Sequence, residues 1–357
     1  MKPPRSGGFI LSFFPFFPVV LFPIFFSGCL EFDPVSTVCW EPEGRAVAFL
    51  SGGRPWTYTL GTGELSPLPS EGPFGSLACS PDGRWIAASS HTYLSLFRRE
   101  GGGYQSEQTF ALPGGDGLIS PTLSWHPSSR RLMAGLAGAA ALSTFEVDLD
   151  SGTMTPAGAG LGIFGGADWL LWGNKVSLGK SRELLALDRQ DEEGRPLPLS
   201  RPAHDSLEDG AFDLLSSLGD FAALPLCWSG QNGGRTFSAC LAENGSVVWK
   251  SKALPKDARI FANPARTLFA GVVDDGKNDL RLAVFDGQGK IRADGARLLK
   301  TLDAELARAG RDRKDSSRSI HASRVAWDPG GNWLAWVVDG RLFLWNWRND
   351  ILAVRGP

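Results

Sequence analysis

A short phrase containing Trp, Pro, Gly and Arg recurs along this chain and restricts its fold more than any other feature. The clear copies are WEPEGRAVA at Trp40, CSPDGRWIA at Cys79, WHPSSRRLMA at Trp125 and WDPGGNWLA at Trp327. Weaker copies begin at Trp172, Trp228 and Phe261. The seven starts lie roughly 47 residues apart on average, and self-similarity at such a period predicts a repeated structural unit.

Each unit has the pattern of four short β-strands. An apolar strand ends at the Trp position, a turn rich in Pro, Asp and Gly follows, and an alternating strand such as Trp85–Ser89 comes next. Asp339-Gly340 and Asn244-Gly245 stand between apolar runs, as in two-residue hairpin loops where glycine accepts a positive φ. Most units lack helical periodicity, so the sequence predicts an all-β protein.

About seven units of four strands predict a single β-propeller, in which radial closure leaves only short edges. The phrase W-x-P-x-G-R-x-x-A resembles the WD-repeat-like and TolB-like propellers of bacteria over roughly residues 36–355. The resemblance implies one propeller domain over residues 36–357, with insertions near 188–222 and 294–320. A ring of about six blades, with one weak unit outside it, is the alternative. Four tryptophans share one register and are predicted to pack blade against blade: Trp40, Trp125, Trp228 and Trp327.

The insertion near 294–320, just before the last blade, has the pattern of a short amphipathic helix. Its apolar face contains Leu298, Leu299, Leu302 and Leu306, and Gly310 is expected to end it. A basic tail follows, with Arg311, Arg313, Lys314 and Arg318. The simpler interpretation is a helix that caps one propeller face and a solvated loop. The alternative is a docking element for an acidic partner or for anionic lipid headgroups. The insertion near 188–222 is interpreted as a surface connection between blades.

Residues 1–28 are typical of a secretory signal peptide, with a basic start, an apolar run over 9–26, and Ser27 and Gly28 before Cys29. A membrane-spanning helix needs about 20 apolar residues. The run also contains three prolines, each of which removes a helical hydrogen bond. We therefore predict cleavage, with a retained anchor helix as the alternative.

The end of this segment resembles the bacterial lipoprotein signal, in which a small residue precedes a cysteine that receives diacylglycerol. The resemblance implies cleavage before Cys29, lipid attachment to Cys29, a lipid-anchored linker over 29–35, and a place on the extracytoplasmic side of a membrane in the bacterial cell envelope. Two or three acyl chains, at about 0.8 kcal/mol per buried methylene, hold a soluble domain on a bilayer. An ordinary signal peptide, with Cys29 as an unmodified thiol, is the alternative.

The charge and the remaining cysteines restrict partners and covalent links. Without Lys2 and Arg5, two of the 36 basic residues, 34 basic and 38 acidic side chains remain, a formal net charge of −4. No nucleic acid partner is expected. We interpret four cysteines in apolar stretches as small buried thiols: Cys39, Cys79, Cys227 and Cys240. An exported protein also permits disulfides, and Cys227 with Cys240 in one hairpin is then the favoured pair.

Motifs for catalysis are absent from the sequence. The four histidines have no second ligand at metal-site spacing, and neither HExxH nor Gly-x-Ser-x-Gly occurs. The GNKVSLGKS segment over 173–181 has the wrong spacing for a phosphate-binding loop. The DLDSG segment over 148–152 lacks the distal Glu of a calcium loop. His126 is predicted to be a turn residue. We expect no catalytic residue, metal or cofactor.

These observations favour a binding function. The sequence predicts a monomeric, lipid-anchored propeller that acts as a scaffold for envelope proteins, because a rigid ring presents two broad faces of loops. One alternative is a hydrolase or lyase with its site in the central channel, because fold does not determine function. Another is a glycan-binding propeller, in which Trp56 or Trp347 stacks on sugars.

Overall fold

A computed structural model describes residues 38–70, 72–113, 119–137, 142–165, 167–178, 182–198, 211–213, 227–232, 235–241, 247–250, 259–265, 267–274, 280–286, 289–312 and 324–357. For part of these residues, including all those from 211 to 260, only the backbone is described. The predicted signal peptide, Cys29 and the linker lie outside the described residues.

The first four sheets, here called blades 1 to 4, follow one another along the chain. Blade 1 contains β1 (Val38–Trp40), β2 (Ala46–Ser51), β3 (Arg54–Thr59) and β4 (Leu65–Pro67). Blade 2 contains β5 (Ser76–Cys79), β6 (Trp85–Ser89), β7 (Tyr93–Glu100) and β8 (Gly103–Ala111). Blade 3 contains β9 (Ile119–Trp125), β10 (Arg131–Ala137), β11 (Leu142–Asp148) and β12 (Thr153–Ala159). Blade 4 contains β13 (Leu161–Phe164), β14 (Trp169–Leu178), β15 (Arg182–Asp191), β16 (Pro196–Leu197) and β17 (Ala211–Asp213).

Three further sheets complete the described part of the chain. Blade 5 contains β18 (Cys227–Asn232), β19 (Arg235–Leu241) and β20 (Val247–Lys250). Blade 6 contains β21 (Arg259–Ala262), β22 (Leu268–Asp274), β23 (Leu280–Asp286) and β24 (Ile291–Asp294). Blade 7 contains β25 (Val325–Trp327), β26 (Trp333–Val338), β27 (Arg341–Asn346) and β28 (Ile351–Arg355). Within each blade the strands pair antiparallel in chain order, and in blade 4 both β16 and β17 pair with β15.

The first strand of each blade is innermost, and at six of the seven junctions the described contacts join the first strands of neighbouring blades. β1 packs against β5 on one side and against β25 of the last blade on the other. β9 contacts β5 and β13, and β21 contacts β18 and β25. The last blade therefore stands beside the first. The prediction of a single β-propeller of about seven blades is confirmed.

The ring closes by packing of two complete blades and not by a shared sheet, because all four strands of blade 7 come from residues 325–355. The Trp40 indole Nε1 donates to the Ala326 carbonyl at 3.0 Å. The Arg355 Nε donates to the Tyr58 hydroxyl at 3.1 Å, with the guanidinium over the phenol ring. These contacts join residues almost 300 positions apart in sequence and fix the seam.

The core lies between adjacent blades, and strand alternation supplies it. In β26, Leu334, Trp336 and Val338 face the apolar cluster shared with blade 6. Their neighbours Ala335 and Val337 face the cluster shared with β1 and β2. Successive side chains of a strand point to opposite faces, so one alternating strand contributes to two interfaces. This pattern explains why the second strand of a unit is apolar at nearly every position.

The predicted helix is α1 (Ala296–Arg308), and its four leucines are buried as the pattern indicates. Gly310 has φ +71°, the Gly310 N–H donates to the Ala307 carbonyl, and the Arg311 N–H donates to the Leu306 carbonyl. These bonds form a Schellman motif, which ends the helix where the sequence predicts. The interpretation that the helix caps one propeller face stays a prediction. The leucines of α1 pack with residues of both blades 6 and 7, including Leu282 and Trp336, so the helix lies between two sheets.

The insertion predicted near 188–222 is in part blade structure. Residues 188–191 complete β15, and both β16 and β17 pair with that strand. Among the described residues, no helix has the length and apolar composition needed to span a bilayer.

Candidate functional site

The repeated Trp fastens three of the described blades to the blade before each of them. The Trp is the last residue of an innermost strand, and its indole N–H donates to the carbonyl of the penultimate residue in the preceding innermost strand. This bond joins Trp40 to Ala326, Trp125 to Ala78, and Trp327 to Phe261, at 3.0, 3.1 and 2.8 Å. All three indoles are buried. The inner edge of each sheet has no further strand to pair with, so the bond also satisfies a carbonyl at that edge. We call these two positions the junction pair.

The rest of the phrase builds one turn. Asp328 follows Trp327, is buried, and its Oδ1 accepts the backbone N–H groups of Asn332 and Trp333 at 2.6 and 2.7 Å. Asn263 makes the same pair of bonds in blade 6. Gly331 stands where φ is +68°, a conformation in which a side chain is strained. The polar residue and the glycine of the phrase are therefore explained by local folding.

His126 occupies the same turn position in blade 3, as the sequence predicts. Its Nδ1 lies 3.1 Å from the Ser128 backbone nitrogen, and its Nε2 lies 3.1 Å from the Ala167 carbonyl of blade 4. The ring also contacts the edge of Phe164. His126 is thus a hydrogen-bonded residue between two blades.

Glu41 occupies this position in blade 1 and forms a buried polar cluster with blade 2. Only 3 % of Glu41 is exposed. Its carboxylate accepts hydrogen bonds from the Arg99 guanidinium at 3.0 Å and the Tyr104 hydroxyl at 2.8 Å. Burial and the negative charge of Glu41 raise the pKa of Tyr104 well above its ordinary value. Tyr104 therefore stays a protonated donor at physiological pH. The sequence analysis missed this cluster because Arg99 and Tyr104 belong to β7 and β8, outside the repeated phrase.

The interpretation of Cys39 and Cys79 as buried thiols is wrong. A disulfide joins them, with Cα atoms 5.9 Å apart, and both residues are partly exposed. Cys227 stands directly opposite Cys240 across β18 and β19, as a hairpin pattern requires. Their side chains lie outside the described residues.

All three weak copies of the phrase were aligned incorrectly. Trp172 lies in β14, the second strand of blade 4, and Phe164 is the last residue of the innermost strand there. A Cβ on Gly162 would stand 3.0 Å from the Trp172 indole, so glycine makes room for that ring. Phe261 is the penultimate residue of β21, so Ala262 takes the Trp position.

The fourth predicted packing tryptophan differs from the other three in register. Trp228 stands near the beginning of β18, opposite Ala239 of β19, and not at the strand end. Its side chain lies outside the described residues.

The predicted docking residues are described only in part. Arg311 forms an ion pair with Asp339 of blade 7, with 3.2 Å between Nη1 and Oδ2. The other three members of the basic tail, Arg313, Lys314 and Arg318, lie outside the described residues.

The tryptophans considered for sugar stacking are engaged in protein contacts. The Arg348 guanidinium lies 4.5 Å above the centre of the Trp347 ring, and the Trp347 Nε1 donates to the Gly331 carbonyl. Trp327 contacts the same ring edge to face. Trp56 is partly buried against the cluster between blades 7 and 1. These contacts do not favour the alternative in which Trp56 or Trp347 stacks on sugars.

Across the described ranges, no group of three or more His, Cys, Asp and Glu side chains is placed to hold a metal ion.

The fold is similar to that of several solved β-propeller proteins. No protein-family model matches the chain, and no curated protein matches its sequence. An oligogalacturonate lyase from Vibrio parahaemolyticus is 13% identical with a TM-score of 0.56, over 90% of this chain and 88% of that one. An oligogalacturonate lyase in complex with manganese is 14% identical with a TM-score of 0.55, over 84% of each chain. The β-propeller domain of Cps50 (Swd1) from Myceliophteria thermophila is 13% identical with a TM-score of 0.55, over 87% of this chain and 97% of that one.

At these identities the similarity shows the fold alone. Together with the closed ring, it defines the class of this protein as a β-propeller.

Proposed function

We propose that this chain is a lipid-anchored, extracytoplasmic β-propeller that acts as a protein-interaction scaffold at the bacterial cell envelope. Two observations support export. Residues 1–29 have the pattern of a lipoprotein signal, and Cys39 and Cys79 form a disulfide, a bond that persists in oxidising compartments.

The outer edge of blade 7 supports the interaction function. Outermost strands expose unpaired backbone groups, and proteins protect them with bulges, charges, prolines or short length. β8 and β24 each contain a bulge at a charged residue, Glu107 and Arg292. β12 contains a bulge at Ala157, next to Pro156. β4 and β16 have three and two residues, with a proline in each.

β28 lacks a bulge and a proline, and its one charged residue, Arg355, stands at its end. The five residues of the strand pair with β27 in unbroken register. Ile351 at its start is 51 % exposed. Such an edge can accept an additional strand, with backbone hydrogen bonds giving affinity and side chains giving specificity. This unprotected edge is the observation that carries the proposal.

The chemistry around β28 defines the partner segment. Leu352 and Val354 face the cluster that contains α1, and Ala353 faces the cluster shared with blade 1. Arg355 at the far end donates to the Tyr58 hydroxyl and to the Val354 carbonyl. Within the described part of the chain, it forms no ion pair with a carboxylate. The matching segment is extended, apolar at the positions beside Ile351 and Val354, and acidic beside Arg355.

Replacing Ile351 with lysine is expected to abolish partner capture while leaving the fold intact. Crosslinking in the native envelope followed by mass spectrometry should give crosslinks to blade 7 in the unmodified protein, and these should be lost in Ile351→Lys because a charged edge opposes strand addition. The matched control is Ile291→Lys on the bulged strand β24, where the isoleucine is 48 % exposed. Loss of the same crosslinks in both variants, or retention in both, contradicts a role for the β28 edge.

The anchor has a separate test. The variant Cys29→Ser should move the protein from the membrane fraction to the soluble fraction, because the acyl chains have no attachment point without the thiol. Fractionation followed by immunoblotting measures this, with the unmodified protein as the reference. Persistent membrane association of Cys29→Ser contradicts lipid anchoring and favours the retained helix.

The enzyme alternative, a channel-sited hydrolase or lyase, has a weaker basis. The lyases named above share the fold at 13% and 14% identity, and function resides in sites and not in folds.

A further inference from the structure

The Cys39–Cys79 disulfide stands at a junction pair. Cys79 is the last residue of β5, the position of Trp40, Trp125 and Trp327 in their strands. Cys39 is the penultimate residue of β1, the position whose carbonyl accepts the indole N–H at other junctions. The covalent bond between blades 1 and 2 therefore links the two positions that a hydrogen bond links elsewhere.

Between blades 3 and 4, the same two positions are joined by a third kind of bond. Phe164 replaces the Trp at the end of β13, and the penultimate residue of β9 is Ser124. The Phe164 backbone N–H donates to the Ser124 hydroxyl at 3.1 Å. Thus five described junctions are fastened at one pair of positions, three by indole N–H groups, one by a serine hydroxyl and one by a disulfide.

We propose that the Cys39–Cys79 disulfide is a redox-dependent latch that takes the place of the Trp–carbonyl bond and couples full stability of the ring to export. In the reduced chain, the Cys79 thiol, a weak donor, stands where three other junctions have an indole N–H group. Oxidation joins the two sulfurs and removes two protons and two electrons. A disulfide-containing oxidant of the exported compartment accepts them as two thiols, through a mixed disulfide.

The location of the latch gives it a large effect. Cys39 and Cys79 are 40 residues apart, and the enclosed segment contains β2, β3 and β4 of blade 1. Closing a loop of this length restricts the unfolded chain strongly. Both cysteines are partly exposed, so reagents can reach the bond. The inference rests on the export part of the proposed function and is independent of which partner the propeller binds.

The test compares the purified mature protein with two double variants in denaturant unfolding. Cys39→Ala/Cys79→Ala should increase the unfolding equilibrium constant by about a thousandfold. This factor corresponds to the loop-closure entropy that a disulfide removes from the unfolded chain for a loop of about 40 residues. Treating the unmodified protein with a phosphine reductant should produce a similar increase. The same reductant should leave Cys39→Ala/Cys79→Ala unchanged, which separates this bond from any link between Cys227 and Cys240.

The decisive variant is Cys39→Ala/Cys79→Trp, which restores the residue used at three other junctions. Its unfolding equilibrium constant should be at least tenfold smaller than that of Cys39→Ala/Cys79→Ala. Reductant should leave this constant unchanged. Equal stability of the two double variants overturns the equivalence of latch and Trp bond. If the Trp variant fails to fold, reduction of the unmodified protein decides the proposal. An unchanged unfolding midpoint after reduction, or a non-reduced peptide map without a Cys39–Cys79 link, overturns it.

Discussion

Replacing Trp327 with alanine is expected to lower the free energy of unfolding by about 3–5 kcal/mol, the range for a buried aromatic side chain. Trp327 is 9 % exposed, lies in the cluster between blades 6 and 7, and contacts the Trp347 ring. The substitution opens a cavity in this cluster and leaves the Phe261 carbonyl without its indole donor. Urea unfolding followed by circular dichroism measures the change.

The control for this prediction is Trp327→Phe, which keeps most of the apolar volume and removes the N–H group. We expect it to cost about 1–2 kcal/mol, the range for losing one buried hydrogen bond. Packing and hydrogen bonding are then separated. A loss below about 1 kcal/mol in Trp327→Ala contradicts a fastening role for the residue, because a buried Trp should cost several times more.

Replacing Glu41 with alanine is expected to cost about 2–3 kcal/mol. Breaking a fully buried ion pair costs about 3–5 kcal/mol. The cost is lower here because the Arg99 side chain is 44% exposed and can be rehydrated, whereas Tyr104 loses its acceptor inside the junction. Thermal and urea unfolding of Glu41→Ala, measured at pH 7, test the magnitude.

A second measurement assigns the Glu41 effect to the cluster and not to general damage. The negative charge of Glu41 helps to raise the pKa of Tyr104, so Glu41→Gln should lower that pKa toward its ordinary value. The chain has only three tyrosines, so alkaline absorbance titration can follow the phenolate, with Tyr104→Phe to identify its signal. An unchanged titration in Glu41→Gln contradicts the contact.

The ring could be predicted from the sequence because each unit repeats the same local requirements. The glycine of the phrase is needed at a positive φ, the polar residue caps the turn, and the next strand alternates. These constraints act within about ten residues, so they can be recognised in the amino-acid sequence. The position of Gly310 as the helix end was equally local.

Two of the incorrect alignments, those at Trp172 and Trp228, have a physical cause in the length of the first turn or of the first strand. Trp125 pairs with Leu132 seven positions later, whereas Phe164 pairs with Leu170 only six positions later. The shorter turn in blade 4 lacks the phrase, and the nearest tryptophan, Trp172, belongs to the following strand. In blade 5, β18 continues through Asn232 and pairs there with Arg235, so Trp228 is far from the strand end.

The disulfide and the Glu41 cluster depend on which blades are neighbours, a property of the closed ring. The sequence does indicate that Cys79 is unusual, because this cysteine replaces Trp in an otherwise regular copy of the phrase. Its partner is set by the contact between neighbouring blades, in which the last residue of one innermost strand meets the penultimate residue of the preceding one. The helix was predicted correctly, but its place between blades 6 and 7 required the shape of both sheets.

An experimental density map of the mature protein tests the closed ring most directly, because the seam between the first and last blades exists only if the circle is complete. The account predicts that the Trp40 indole nitrogen lies about 3 Å from the Ala326 carbonyl oxygen, with the Arg355 guanidinium over the Tyr58 ring. An open arc, with solvent between β1 and β25, would contradict it.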